Sequence, residues 1–259
     1  MDRTRRLQLA HEIAARVQDH YNEHVLATGI YGSLAQGTDG PYSDIEMHCV
    51  VRGEGIDTTH EWLAGPWKAE VDVSSEDVLL REAAEVDVDW SITHGAFTRV
   101  MALHDPTDFF PRLRVVTRSQ PDQAFQRAIR EVIVGELYEV VGKVRNARAT
   151  QSVASLPYFA VAAVKHGACL IGLANRSLYT TAARLFEESL ALPNRPYGYD
   201  ALCRMVIAGD LAEAARVADA VDSLWSGTER WAREHEIRIE EDLDSLLRSQ
   251  PASRPFGGP

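Results

Sequence analysis

In GIYGSLAQGTDGPYSDIEMHCV, residues 29–50, a Gly32-Ser33 pair is followed eleven residues after Ser33 by Asp44, with Glu46 two positions further on. Small residues let backbone and hydroxyl approach phosphate oxygens. Two acids at i,i+2 on a strand project from one face, where they can hold a hard divalent cation such as Mg²⁺, which prefers oxygen ligands and octahedral geometry. The flanks decide the elements. Residues 24–31 read as a strand running into the Gly32-Ser33 turn, and residues 43–51 as a second strand entered through the turn signal Asp39-Gly40-Pro41. In that second strand Ile45, Met47, Cys49 and Val51 share one face, while Asp44, Glu46 and His48 share the other. The segment 67–73 repeats the alternation, with Trp67, Ala69, Val71 and Val73 inward and Lys68, Glu70 and Asp72 outward. Two strands with apolar backs and acidic fronts predict a half-open sheet with a charged surface.

Working outward, residues 2–20 carry apolar positions at helical spacing (Leu7, Leu9, Ile13, Val17) and predict an opening helix. A helix is expected over 75–85, with Ser74 or Ser75 as N-cap, and a further strand within 94–104. From Gln123 the pattern is helical almost throughout: 124–147, 156–175, 181–192, 199–207, 211–223 and a last stretch to 247. The change from period two to period 3.6 puts a domain boundary near 120, at Ser119-Gln120-Pro121. The expected fold is therefore α+β, with a mixed sheet in an N-terminal domain (1–120) followed by an all-helical C-terminal domain (121–248). A disordered tail is expected over 249–259, which lacks core-forming residues.

Composition narrows the partners. The chain has 259 residues, 45% of them hydrophobic and 25% charged, as in ordinary soluble domains. A net charge of -11 disfavours binding along a nucleic-acid backbone and suits a cationic substrate. Cys49, Cys169 and Cys203 show no metal spacing and read as reduced, packed thiols, which points to the cytoplasm. The N-terminus has no apolar h-region. The apolar segment 156–173 contains Pro157, Lys165 and His166 and reads as a buried bundle helix, not a membrane span.

A second constellation lies on the helix predicted over 124–147, where Glu136, Glu139 and Lys143 fall at i, i+3 and i+7 on one face. Spacing alone leaves two readings open: an exposed Glu139–Lys143 ion pair, or a proton-accepting base beside a lysine that steadies a phosphate. His60-Glu61-Trp62 is placed in the connection between the two acidic strands, where Glu61 could be a plain loop acid. No HExxH or paired Cys/His spacing supports zinc. His48 reads either as a substrate contact or as a surface histidine.

The run 29–50 resembles the aminoglycoside 4'-O-nucleotidyltransferases, the kanamycin nucleotidyltransferase family. So do HEW (60–62), WKAEVDV (67–73), THGAF (93–97), GELYEVVGKVRN (135–146), LIGLANRSLYTT (170–181) and GYDALC (198–203), in order. The resemblance implies a nucleotidyltransferase fold and transfer of a nucleoside monophosphate from ATP, or a similar triphosphate, to the 4'-hydroxyl of drugs such as kanamycin, tobramycin or amikacin. By motif position it implies that Gly32, Ser33 and Thr38 meet the phosphates and that Asp44 and Glu46 bind Mg²⁺. Glu46, Glu61, Glu70, Glu136 and Glu139 would hold the drug, with Glu139 as general base and Lys143 facing the α-phosphate. It also implies a homodimer with shared active sites. Two departures stand out: Gly135 replaces an acid of the family prototype, and Gln36 replaces a basic residue, either of which bears on drug range and on the 4''-hydroxyl. Two rival readings are a nucleotidyltransferase acting on another small molecule or a protein, and a catalytically idle nucleotide-binding regulatory dimer. The intact acid pair argues against the second.

Overall fold

The computed structural model describes residues 1–249, so the tail expected at 249–259 lies, from residue 250 on, outside the described residues. Helix α1 (Arg3–Tyr21) opens the chain, capped by Asp2, whose carboxylate accepts the Arg5 N–H at 2.8 Å. Five strands follow: β1 (Val25–Tyr31), β2 (Ile45–Val51), β3 (Asp57–Ala64), β4 (Trp67–Ser75) and β5 (Met101–His104). They form one mixed sheet in the order β3-β4-β2-β1-β5. Only β2 and β4 run parallel, while β1–β2, β1–β5 and β3–β4 are antiparallel.

The alternation read from the sequence sets which face is covered. Ile45, Met47, Cys49 and Val51 of β2 pack with Ala69, Val71 and Val73 of β4, Ile30 of β1, and Ala10, Ile13 and Ala14 of α1. That is the apolar back of the sheet. The front divides along the strands. Ala27 and Val50 are covered by α3 (Glu76–Ala84) and α6 (Phe109–Arg118) through Leu79, Ala83, Phe109, Phe110 and Leu113. The other end of the front carries the acids.

Several expectations change. Residues 57–64 form β3, not a connection; its residues are almost all exposed, so it lacks the apolar alternation that marks a half-buried strand. Only 101–104 of the region 94–104 is a strand, because Trp90–Thr93 (α4) and Gly95–Thr98 (α5) close single helical turns. Gly32-Ser33 begins a short helix, α2 (Gly32–Gln36), closed by Gly37 in the left-handed region. Ser75 stands at the N-cap of α3, but its hydroxyl bonds Asp77 and the Ile56 carbonyl and makes no capping bond to the helix N–H groups.

The remaining helices are α7 (Asp122–Glu131), α8 (Tyr138–Ala149), α9 (Leu156–Ala174), α10 (Leu185–Ala191), α11 (Tyr199–Ile207), α12 (Ala214–Glu234) and α13 (Leu243–Ser249). Helix α12 extends well past the 211–223 expected. A π-helical segment, Val132–Leu137, stands between α7 and α8. The segment Val153–Ala174 is long and apolar enough to cross a membrane, with 61% of its most apolar window buried inside the protein. Two compact units interleave along the chain: residues 1–129 with 164–194, and residues 130–163 with those from Arg195 onward. Residue 120, where the change of period falls, lies within the first of these units. In the second unit α8 and α12 are tied by Arg145–Asp222 at 2.8 Å and Arg148–Asp219 at 2.7 Å. Gly227 lets α12 pass against the carbonyl of Tyr197, where any Cβ would collide.

One buried ion pair organises the loop between α2 and β2. Asp39, read above only as a turn residue, is buried and bonded by both Arg3 and Arg6. Arg6 is itself 1% exposed and also donates to the carbonyls of Met1 (3.0 Å) and Pro41 (3.1 Å). Removing one partner of such a pair leaves an uncompensated buried charge. Arg6→Ala is therefore expected to cost about 3–5 kcal/mol in urea unfolding. Arg3→Ala, on the exposed side of the same carboxylate, should cost at most about 1 kcal/mol. Equal losses for the two variants would contradict this account.

Candidate active site

Strand register brings the acids together. Tyr31 of β1 pairs with Glu46 of β2, Glu46 with Glu70 of β4, and Glu70 with Glu61 of β3. Paired residues point to the same face, so three carboxylates and a phenol form one row across four strands. A second row repeats this one step along: Gly29, His48, Asp72 and Thr59. Asp44 precedes β2 by one residue and flanks the first row.

Like charges on facing strands repel, and adjacent strands lie only about 4.8 Å apart. The site shows how that is met. Lys68 reaches Glu61 and, at 3.5 Å, Glu70. The Tyr31 hydroxyl donates to Asp72 at 2.8 Å and to Glu70 at 3.3 Å, and Thr59 donates to Asp72 at 2.8 Å. Burial and then the neighbouring carboxylates hold the Tyr31 phenol far above its ordinary range, so it remains a donor. Glu46 receives the least help. Burial first, then Asp44 and Glu70, push its carboxyl up to about 7.

Gly32 explains how the phosphate-side turn and the acids fit in one place. Its φ is +67, and a Cβ there would run into the Glu46 carboxylate. Ser33 is half-buried in the first turn of α2, and its carbonyl accepts the Thr38 N–H at 3.1 Å, which curls the exposed Thr38 back over it. Gln36 is tied down at both ends of its amide: it accepts from Arg99 at 2.9 Å and donates to the Thr180 carbonyl at 3.0 Å.

His48 is neither a surface histidine nor open to a substrate. It is 3% exposed, stacked on Tyr31 at 4.3 Å and on Phe97 at 5.9 Å, and its Nε2 lies 3.1 Å from the Ala96 carbonyl. Burial lowers its pKa, so the ring stays neutral and acts as packing beneath the acids. Tyr31, Asp72 and Lys68 belong to the site but were not singled out from sequence. Asp72 and Lys68 shared the outward face with Glu70, and that alternation was the available signal; the register that adds Tyr31 was not.

In the second unit, Glu139 and Lys143 of α8 form the exposed ion pair that their spacing allows, at 2.5 Å. Glu136 lies instead in the π-helical segment, whose wider turn rotates less per residue, so the α-helical ruler does not carry from Glu136 to Glu139. The spacing argument for one common face thus holds for Glu139 and Lys143 alone.

Among the described residues no group of three or more His, Cys, Asp or Glu side chains is arranged to hold a metal ion. Asp44 and Glu46 still suit a hard divalent cation of the Mg²⁺ kind, which is commonly held by one or two carboxylates with water and substrate phosphates completing its shell. The donors are all oxygen, and the attraction of Lys68 does not offset the burial and the neighbouring carboxylates that raise Glu46. A cavity of about 600 Å³ lies behind the sheet between α1 and Trp62, Trp67 and Val71, on the face opposite the acids.

Residues 107–238 match the family described as the KNTase C-terminal domain. Proteins from Staphylococcus aureus and from a Bacillus species, both described as aminoglycoside nucleotidyltransferase (4'), are each 40% identical over 235 residues, covering 91% of this chain and 93% of theirs. A crystal structure of a nucleotidyltransferase-like protein from Exiguobacterium sibiricum shares the fold, with a TM-score of 0.55 at 12% identity, covering 95% of this chain and 81% of that one.

The raised Glu46 carboxyl has a consequence with a definite sign. The folded chain keeps a proton to about pH 7 that the unfolded chain releases near 4.5. Its contribution is therefore present below pH 4.5 and lost as pH rises through 7. Cation-free protein should lose on the order of 1–2 kcal/mol of stability from this group between about pH 5 and 8, discounted for the solvent around it. Glu46→Gln should flatten that fall in urea titrations across pH; an unchanged slope would remove Glu46 as its source.

Proposed function

The chain belongs to the aminoglycoside nucleotidyltransferase (4') family, and we propose that it transfers a nucleoside monophosphate from ATP, or a similar triphosphate, to the 4'-hydroxyl of aminoglycosides such as kanamycin, inactivating them as antibiotics. The observation that carries this reading is the carboxylate row Glu46-Glu70-Glu61, with Asp44 beside it and Gly32 close against Glu46.

Each residue has a task. Ser33, Gly32 and Thr38 present hydroxyl and N–H groups to the phosphates. Asp44 and Glu46 would hold Mg²⁺, which would supply positive charge to the phosphoryl group and the departing pyrophosphate. Glu61 and Glu70 attract the drug's ammonium groups, helped by a net charge of -11. Glu136 adds a further carboxylate to drug binding. Glu139 takes the proton of the 4'-hydroxyl as that oxygen bonds the α-phosphorus. The bond from that phosphorus to the bridging oxygen breaks on the opposite side, and pyrophosphate leaves. Lys143, already paired with Glu139, supplies positive charge to the α-phosphate.

In this reading residues 1–120 form the nucleotide-handling domain and residues 121–248 the helical domain that supplies the base and the dimer contact. The working unit is a homodimer whose sites combine Asp44 and Glu46 of one protomer with Glu139 and Lys143 of the other. The location is cytoplasmic, which the three buried free cysteines suit. The acidic charge argues against a nucleic-acid substrate.

With ATP, magnesium and kanamycin, pyrophosphate should be released and the nucleotide found on the 4'-oxygen by NMR. A 4'-deoxy analogue should release none, and release that persists with it would overturn the assignment. Glu139→Gln should leave drug binding nearly intact and lower kcat by about 10²–10⁴-fold. The shared site has its own test: mixed and reassociated Asp44→Asn and Glu139→Gln chains should regain partial activity, because one site of each hybrid is then intact. Sites confined to single chains would stay inactive after mixing.

A further inference from the structure

The first compact unit holds a cavity of about 460 Å³ that plays no part in the chemistry above. Its wall carries three guanidinium groups, Arg99, Arg118 and Arg176, and no carboxylate. Trp90 and Phe125 supply the apolar part and Ser177 a hydroxyl. In a chain with 38 acidic and 27 basic residues, three arginines around one space need a reason. Each is accounted for in part. Arg99 donates to the carbonyls of Leu178 (2.7 Å) and Tyr179 (3.0 Å) and to Gln36 Oε1 (2.9 Å), which leaves two of its five N–H groups. Arg176 lies over the Phe125 ring at 4.8 Å and pairs with Asp122, an exposed acid whose hold on it is weak in water. The Arg118 side chain has no hydrogen-bond or ion-pair partner among the described residues. Its place in the last turn of α6 suits the helix dipole, but that explains one cation and not three.

Trp90 is 3% exposed, and its indole N–H has no acceptor among the described residues. A buried donor left unpaired costs free energy comparable to a lost hydrogen bond. That nitrogen is shielded from the cavity, so the donors available to a ligand there are the Arg118 guanidinium and the two remaining N–H groups of Arg99. We propose that the cavity is a binding site for a phosphate oxyanion, either free phosphate or pyrophosphate, or the phosphate end of a nucleotide. Its volume falls within the range of small-molecule sites, and forked guanidinium groups match phosphate oxygens. The site does not depend on the transfer reaction.

Calorimetric titration of full-length protein in EDTA tests it, with sodium phosphate, pyrophosphate and AMP as separate probes and chloride as background. The Asp44→Asn chain is run in parallel, so that binding in the acidic cleft is recognised. Saturable binding is expected in both proteins, weakened about 10-fold or more by Arg118→Ala, as for loss of a charge-assisted hydrogen bond, and partly restored in Arg118→Lys. Arg118 is exposed, so the variant keeps its fold. Equal affinity for AMP and free phosphate identifies the oxyanion as the whole ligand, and tighter AMP binding identifies a nucleotide; either supports the proposal. No saturable binding of any probe overturns it, as does affinity unchanged by Arg118→Ala or lost only with Asp44→Asn.

Discussion

Repulsion between carboxylates on neighbouring strands is the constraint around which this protein is built. Glu61, Glu70 and Glu46 occupy one register line, and Asp72 stands one step away on the same face. In a sheet selected for stability alone, like charges directly opposite one another would be replaced. Here the strands are held from behind by Ile45, Met47, Val71, Val73 and α1, so the front can stay unfavourable without parting them. Lys68, Tyr31 and Thr59 absorb part of the charge, and Glu46 meets the remainder by holding its proton to about pH 7. The fold thus carries, at Asp44 and Glu46, an electrostatic stress that a positive charge would relieve.

The same logic extends to the loop between α2 and β2. A flexible loop there would let Gly32-Ser33 and Asp44 drift apart, and a site off by about an ångström loses much of its rate. Asp39 prevents this by accepting from Arg3 and Arg6 at once, with Arg6 also fixing the Pro41 carbonyl. The opening helix thus has two duties: its apolar face closes the back of the sheet, and its first-turn arginines pin the approach to the acids. Nothing in its amphipathic pattern announced the second duty.

What could be read in advance follows from which signals are local. The i,i+2 acids and the alternation of 45–51 and 67–73 are local, and β2 and β4 came out as expected with their acids forward. Strand β3 was hidden because an exposed edge strand has no apolar face to alternate, and Glu61 was consequently taken for a loop residue. Tyr31 joined the site through cross-strand register, which a single chain does not encode locally. His48 was misplaced for a related reason: alternation gives its face, while Phe97 and the Ala96 carbonyl that bury it arrive from about fifty residues away. The π-helical segment broke the 3.6-residue ruler at Glu136, where Gly135, a poor helix former, adjoins it.

Gln36 shows why replacement of a charged residue need not remove the charge from a site. The family resemblance places a basic side chain just after Gly-Ser-Leu, and this chain has an amide there. The amide is not idle, since it accepts from Arg99 and donates to the Thr180 carbonyl, clamping the end of α2. A guanidinium therefore stands one hydrogen bond from the position where the sequence lost its cation. It comes from the turn before β5 and not from α2 itself. In this unit Arg99 brings a positive charge to the end of α2, while the acids stand on β2 and β4.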